Sequence, residues 1–315
     1  MTKFNLHKGY SRMFQENKLS LGLVFPLESY AGSIPIMDLG VQMKLAKQAE
    51  ALDFSALFVR DVPFNDPSFG DAGQIYDPWV FLSYVAAHTE KIALATGSIV
   101  TTLRHPLHVA KAAASLDQIS GQRLILGIAT GDRPIEFAAF GVEREERAAL
   151  FQESLHVMKQ VWKEAFPQIN SARVHMNQGD ILPKPHLGDI PVLVTGHSGQ
   201  TPEWIAENSD GWLYYPRGIE QQHALIQNWR ALTKEFKPFS QSLYIDLSED
   251  PNMEPTQIQL GFRTGTAFLI EFLKTLEAIG VNHVMFNLKF GRRPVEDVIQ
   301  QLGEEVVPLF PSLTT

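Results

Sequence analysis

Two short, almost unbroken apolar runs, Ile92-Ala93-Leu94-Ala95-Thr96 and Leu124-Ile125-Leu126-Gly127-Ile128-Ala129, set the pattern of this chain. Each has the length of a strand, and continuous apolarity is what a strand covered by helices on both faces requires. Between them Arg104-His105-Pro106 opens a helix, with proline in the first turn, where its missing N–H costs nothing. Val109, Ala113 and Leu116 recur at i, i+4 and i+7 to form one apolar face, and Ser120-Gly121 ends the helix. Strand, helix and strand make a βαβ unit. After each strand the character changes, to Gly97-Ser98-Ile99-Val100-Thr101-Thr102 and to Thr130-Gly131-Asp132-Arg133-Pro134. Small and polar groups therefore collect at the carboxyl ends, where α/β proteins bind ligands.

The same alternation runs along the chain. Further strands are predicted over residues 19–25, 54–60, 191–195, 211–215, 242–247 and 283–287. Helices are predicted over 37–52, from the Asp77-Pro78 cap to about His88, over 143–164 as the longest, to about Asn208 and over 219–236. Phe268, Phe272, Leu276 and Ile279 space another helix, stopped by Gly280, and Val295, Ile299, Leu302 and Val306 mark the closing one. Residues 26–35 and 60–67 read as loops. Eight strand-helix pairs with right-handed crossovers predict an α/β fold of the (β/α)8 TIM barrel type, one domain over 1–315. Its two long insertions, 166–189, a polar excursion of the length of a lid or a small added hairpin, and 248–263, an irregular loop, are expected to border the substrate entrance. A doubly wound open sheet is the lesser alternative, because its dinucleotide fingerprint is missing after the first strand.

Composition narrows the function classes. A formal charge of -8, with no Lys and Arg cluster, argues against a nucleic-acid partner. With no cysteine, disulfides, thiolate metal sites and cysteine nucleophiles are ruled out. Neither a signal peptide core nor a membrane span is apparent, so a cytoplasmic protein with no membrane partner is expected.

The polar clusters hold the candidate chemistry. Gly196-His197-Ser198-Gly199-Gln200-Thr201 joins a strand to a helix and brings small residues, N–H groups and hydroxyls to where a phosphate can sit. A plain helix cap by Ser198 or Thr201 explains the same residues, while a nucleophile elbow needs glycine where Gln200 stands. Gly261-Phe262-Arg263-Thr264-Gly265 is a competing phosphate loop or a capped helix with a surface arginine. His105 and His108 share a face but lack a third ligand, so no metal is expected. Arg60 and Asp61 are either paired with each other's neighbours or, as two charges at a strand exit, part of the site. Trp204, Trp212 and Phe58 are expected in the core.

Taken together, Arg104-His105-Pro106, the Ala-Lys-x-x-x-Ser-Leu-Asp-x-x-Ser-Gly-x-Arg run from Ala110 to Arg123, Leu126-Gly127-Ile128-Ala129-Thr130-Gly131 and Gly196-His197-Ser198-Gly199-Gln200-Thr201-Pro202-Glu203-Trp204 resemble the bacterial luciferase-like monooxygenases. The resemblance implies a (β/α)8 barrel that binds reduced FMN, or a deazaflavin in some branches, and a homodimer. It matches Ser198 and Thr201 to phosphate-binding residues and Gly97-Ser98 to a cis peptide beside the flavin ring. Ala129 stands where the luciferases carry a reactive cysteine, and Thr130 where they carry a phosphate-binding arginine, leaving Arg133 or Arg263 for that role. Asp61 stands at the position of a catalytic histidine, a departure from the light-emitting enzymes. Arg60-Asp61-Val62-Pro63, Gly131-Asp132-Arg133-Pro134 and Phe290-Gly291-Arg292-Arg293-Pro294 point to a separate branch.

The resemblance thus implies a flavin-dependent oxidoreductase, with FMN reduced by a separate flavin reductase and oxygen used on a small organic substrate. Asp61, Ser98 and His105 are its expected catalytic residues. Thr96, Gly97, Ser98, Thr130, Gly131, Arg133, Gly196, His197, Ser198, Gly199 and Thr201 are its expected cofactor contacts. A reductase working without oxygen and a non-catalytic flavin-storage protein are the rivals.

Overall fold

A computed structural model describes residues 3–27, 38–69 and 76–313. Of the expected loop at 26–35, residues 28–35 lie outside the described residues, as does Met37 at the head of the helix that follows. Eight parallel strands close a barrel: β1 Ser20–Phe25, β2 Ala56–Val59, β3 Ala93–Thr96, β4 Leu124–Ala129, β5 Val192–Thr195, β6 Gly211–Tyr214, β7 Phe239–Leu247 and β8 His283–Asn287. Each pairs with the next, and β8 returns to β1 through Ser20 with His283 and Leu23 with Phe286.

Side chains alternate across the barrel wall, as the two-residue period of a strand demands. Leu57 and Val59 of β2 face the helices, whereas Ala56 and Phe58 face the interior with Ala93 and Ala95 of β3, Leu193 of β5 and Met285 of β8. Interior strand positions are mostly small near β2 and β3, so a few large side chains fill the centre. His283 is among the interior residues: it is fully buried, stacks on Phe58 and bonds Ser20 Oγ through Nδ1 at 2.8 Å. Burial pushes its pKa down to about 3, so it is neutral.

Ten α-helices are described: α1 Lys8–Met13, α2 Leu39–Ala51, α3 Pro78–His88, α4 Pro106–Ser120, α5 Pro134–Ala139, α6 Arg147–Lys163, α7 Pro202–Asn208, α8 Ile219–Leu232, α9 Thr266–Ala278 and α10 Val295–Gln301. Two were not anticipated. α1 plugs the amino-terminal end of the barrel with Tyr10 and Met13, joined by Phe4 and Phe14. Its Gly9 amide bonds Gln122 O at 2.9 Å. α5 follows β4 directly. Caps are local where predicted: Asp77 accepts from Trp79 N, and Gly121 ends α4 at φ 67. No helix among the described residues is long and apolar enough to cross a membrane.

Three expectations change. Residues 248–263 are not an irregular loop throughout, because Thr256–Ile258 and Gly261–Thr264 form an antiparallel ribbon and the latter runs parallel to β7 from Tyr244 to Leu247. The barrel pairing of β7 to β8 ends at Tyr244, which leaves the far half of β7 free to recruit this extra strand. In α9 the buried apolar positions are Leu269, Leu273 and Leu276, whereas Phe268 and Phe272 are only partly buried and pack against Phe262 at centroid distances of 5.4 and 5.1 Å. The core-facing stripe is thus centred on the leucines, with the predicted Leu276 buried in it and Phe272 and Ile279 at its margin. Trp212 and Phe58 are buried as expected, but Trp204 is only partly so. The other insertion, 166–189, forms a short hairpin, Ile169–Asn170 with His175–Met176, held to α6 by Arg173 on Glu153 and to α4 by Lys111 on Leu182 O.

Candidate active site

The carboxyl ends of β2 to β6 surround a cavity of about 320 Å³. The exit of β2 supplies Arg60, Asp61 and Val62, and that of β3 supplies Gly97 and Ser98. The exit of β4 supplies Thr130, Gly131, Asp132 and Arg133, with Glu136 following from α5. β5 ends in Thr195 and the turn Gly196-His197-Ser198, and Tyr215 stands at the end of β6. The Gly97–Ser98 peptide is cis. Beneath it the backbones of β3 and β4 nearly touch: a Cβ on Gly127 would lie 2.0 Å from Thr96 O, so only glycine is accommodated. From that peptide the Ser98 hydroxyl shares a hydrogen bond with the Thr195 hydroxyl at the end of β5.

The β5 exit is a tight turn, closed by Gln200 N on His197 O at 2.8 Å. Its central residues Ser198 and Gly199 have φ 47 and 69, the left-handed values of a mirror-image turn. Ser198 Oγ donates to Thr195 O at 2.8 Å, which fixes the turn against the strand it leaves. A Cβ on Gly199 would approach Ala148 Cβ to 2.9 Å, so the turn is seated on α6.

Charges organise the rest. Asp61 accepts Arg104 Nε and Nη2 at 2.8 Å each and Val100 N at 3.1 Å, while Arg104 also reaches Asp77 at 2.7 Å. Burial opposes the Arg104 charge, but the hydrogen bonds and charges of Asp61 and Asp77 outweigh it and raise its pKa. Asp61 and Val62 also line a second cavity of about 690 Å³, whose other walls include Tyr76, Trp79, His105, His108 and Phe140. The Asp61–Arg104 pair is thus part of the partition between two compartments.

Glu136 is the least expected member. Its side chain is 2% exposed, with Oε1 3.8 Å from Arg133 Nε. Burial pushes its carboxyl up to about 7 against the pull of Arg133, and the charges of Asp132, Asp61 and Asp66 add to the rise. Burial, followed by Asp132, also holds the Tyr215 hydroxyl above its ordinary value.

Of the residues singled out from the sequence, the structure gathers Asp61, Gly97, Ser98, Thr130, Gly131, Arg133, Gly196, His197 and Ser198 around the first cavity. Five are not brought there. Thr96 is fully buried beneath it, its hydroxyl donated to Gly127 O at 2.7 Å. His105 caps α4 by accepting Leu107 N, lines the second cavity and meets Arg173 O through Nε2 at 3.3 Å. Gly199 serves the packing on α6, and Thr201 caps α7 by accepting Trp204 N at 3.2 Å. Arg263 pairs with Asp246 on the ribbon beside β7 and does not line the cavity. Sequence reasoning missed Glu136, Tyr215 and the role of Thr195. The signal for Glu136 was a single charge within Pro134-Ile135-Glu136-Phe137-Ala138-Ala139-Phe140.

The fold and sequence have counterparts among known proteins. An uncharacterized protein of Mycobacterium tuberculosis is 29% identical over 235 residues, 69% of this chain and 82% of that protein. An alkanal monooxygenase alpha chain of Photorhabdus luminescens is 25% identical over 167 residues, 53% of this chain and 45% of that one. Among solved structures, a monooxygenase from Streptomyces bottropensis superposes with a TM-score of 0.71 at 20% identity, over 92% of this chain and 99% of that one. An F420-dependent secondary alcohol dehydrogenase superposes with a TM-score of 0.75 at 16% identity, over 92% and 98%. The profile of the luciferase-like monooxygenases matches residues 21–246, which hold the strands and turns that build the cavity, and the chain belongs to that family.

Proposed function

We propose that the protein is an FMN-dependent oxidoreductase, a monooxygenase that uses reduced flavin and oxygen on a small organic substrate. The carrying observation is the donor set of the first cavity: the Ser98 and Thr195 hydroxyls, Arg60, Arg133 and the turn from Gly196 to Ser198. Guanidinium and turn amides suit a phosphate, and hydroxyls suit the polar edge of a flavin ring, so the residues present fit this group. Arg133, His197 and Ser198 would hold the phosphate, and Ser98 and Thr195 the ring edge. When bound, reduced flavin would supply two electrons to oxygen, and the substrate would supply the other two as it takes one oxygen atom. Asp61, fixed by Arg104, separates that group from the larger, partly aromatic compartment that takes the substrate.

Fluorescence quenching titrations with FMN and riboflavin test the reading. Each charge-assisted hydrogen bond to phosphate contributes roughly 1.5 to 3 kcal/mol, so FMN should bind at least tenfold more tightly. Equal affinities would remove the Gly196 turn and Arg133 from the argument. A second reading, hydride transfer with a deazaflavin and no oxygen, is favoured by matched proteins whose names specify F420, among them a glucose-6-phosphate dehydrogenase from Kineococcus radiotolerans, 30% identical over 193 residues. Turnover of reduced F420 under anaerobic conditions would establish it in place of the first. A protein that binds flavin but accelerates neither reaction would be a flavin store.

A flavin reductase supplies the reduced cofactor in the first reading. The chain pairs as a homodimer, supported by the apolar side chains that α3 presents outward, Val80 at 68% and Tyr84 at 42% exposure. Light scattering at micromolar concentration checks that mass.

A further inference from the structure

We propose that Glu136 is the residue that delivers a proton into the first cavity, an inference that rests on the oxidoreductase reading above. Among the described residues nothing hydrogen-bonds its Oε1, although the side chain is 2% exposed and lines the cavity with Ser98, Thr195 and His197. Arg133 Nε, at 3.8 Å, is too far to donate to that oxygen yet near enough to offset a negative charge. A buried carboxyl oxygen without a donor is an unfavourable place for a full charge, whereas a neutral carboxylic acid there holds a proton ready for whatever enters.

The surrounding charges poise that proton near neutrality. Asp61 and Arg60 face the cavity from the β2 exit, Asp66 acts on Glu136 from the loop beyond, Asp132 and Arg133 come from the β4 exit, and Tyr215 comes from β6. Burial and three carboxylates against the attraction of Arg133 hold the Glu136 carboxyl at about 7, the range in which a general acid works best at physiological pH.

Both functional readings need one event that Glu136 can perform. When an oxygen atom gains an electron pair, a proton must reach it; that atom is either the carbonyl oxygen of a substrate reduced by hydride or the atom of O2 that leaves as water. The electrons come from the reduced cofactor: as hydride to the carbonyl carbon, or from the anionic reduced flavin to O2 together with that flavin's own proton, the substrate taking the second oxygen atom; in each case one further proton is needed. The Glu136 O–H bond breaks, its electron pair stays on the carboxylate beside Arg133, and a new O–H bond forms on the accepting oxygen. Solvent then returns a proton to Glu136.

Two variants and two readouts test this. Infrared difference spectra of the cofactor-free protein across a pH titration should show a protonated-carboxyl band lost between about pH 6 and 8; Glu136→Gln should remove it and Glu136→Asp should keep a titrating band. Stopped-flow mixing with photoreduced FMN and oxygen, or with reduced F420 and a ketone, should give a rate that falls about tenfold per pH unit above 7 in the wild type. The rate in Glu136→Gln should be roughly a hundredfold lower and flat with pH, with partial rescue in Glu136→Asp. Absence of the band, or a wild-type pH profile in Glu136→Gln, overturns the assignment and leaves the function standing. A protein that binds neither FMN nor F420 overturns both.

Discussion

Replacing Asp61 by alanine should destabilise the protein by about 3 kcal/mol, because this carboxylate anchors the partition between the two cavities. Removing one partner of a fully buried ion pair costs about 3 to 5 kcal/mol. Here Arg104 keeps Asp77 at 2.7 Å and its side chain is 28% exposed, so about 2 kcal/mol is the better figure. The Val100 amide, which donates to Asp61 at 3.1 Å, loses its acceptor and adds about 1 kcal/mol. With about 2.1 cal/mol/K of unfolding entropy per residue over 315 residues, the melting temperature should fall by about 4 to 5 °C. Calorimetry of Asp61→Ala, Arg104→Ala and the double variant supplies the check, with a coupling energy of about 1 to 2 kcal/mol expected. Asp61→Asn, which keeps an acceptor for Val100 N, should lose about half as much. A shift below 1 °C in Asp61→Ala, or additive single variants, would refute the idea that this pair holds the wall.

Three further outcomes follow from the same structure. His283 has a folded pKa depressed to about 3 from an unfolded value of 6.5; the unfolded chain binds the proton first, so stability should fall as pH drops from about 6.5 toward 3, and His283→Gln should flatten that part of the denaturation profile. Glu136 has the opposite sign: its carboxyl is raised from 4.5 to about 7, so stability should fall as pH rises through that window. Linkage sets a ceiling of about 3 kcal/mol, and solvent screening at the cavity reduces it to roughly 1 to 2, which Glu136→Gln should recover at pH 8 in urea melts. Gly127→Ala should lower the melting temperature by several degrees, since its Cβ would sit 2.0 Å from Thr96 O and must push β3 and β4 apart; an unshifted melt would mean the strands separate freely.

The barrel was legible because its signals are local. β4 and β8 were read with both ends in place, Asp77 and Gly121 cap where their chemistry requires, and apolar runs separated by helices leave few topologies. The regions that escaped prediction depend on contacts between distant segments. α1 has one and a half turns, too short for a periodic signal, and its apolar side chains find their place only against the open end of the barrel. Thr256–Ile258 and Gly261–Thr264 become strands because β7 outruns its barrel partner, a length mismatch that neither segment records.

The candidate site divides along the same line. A residue that ends a strand sits at the mouth of a barrel by covalent connection alone, which is why Ser98, Thr130, Arg133, His197 and Ser198 could be named before any coordinates. What each side chain does there is decided across the gaps between βα units. Asp61 reads in sequence as one of two charges at a strand exit, with no partner named, yet Arg104, one unit further on, occupies both of its oxygens. Glu136 drew no reading in the sequence, because α5 was not anticipated, yet α5 turns it inward, beside Arg133 and toward three other carboxylates. The acid at the strand end is paired with a cation and shapes the wall, and the one beyond the strand keeps an oxygen that nothing among the described residues hydrogen-bonds. Which carboxylate oxygens at this barrel mouth lack a donor is a property of pairing between units that spacing along the chain does not encode.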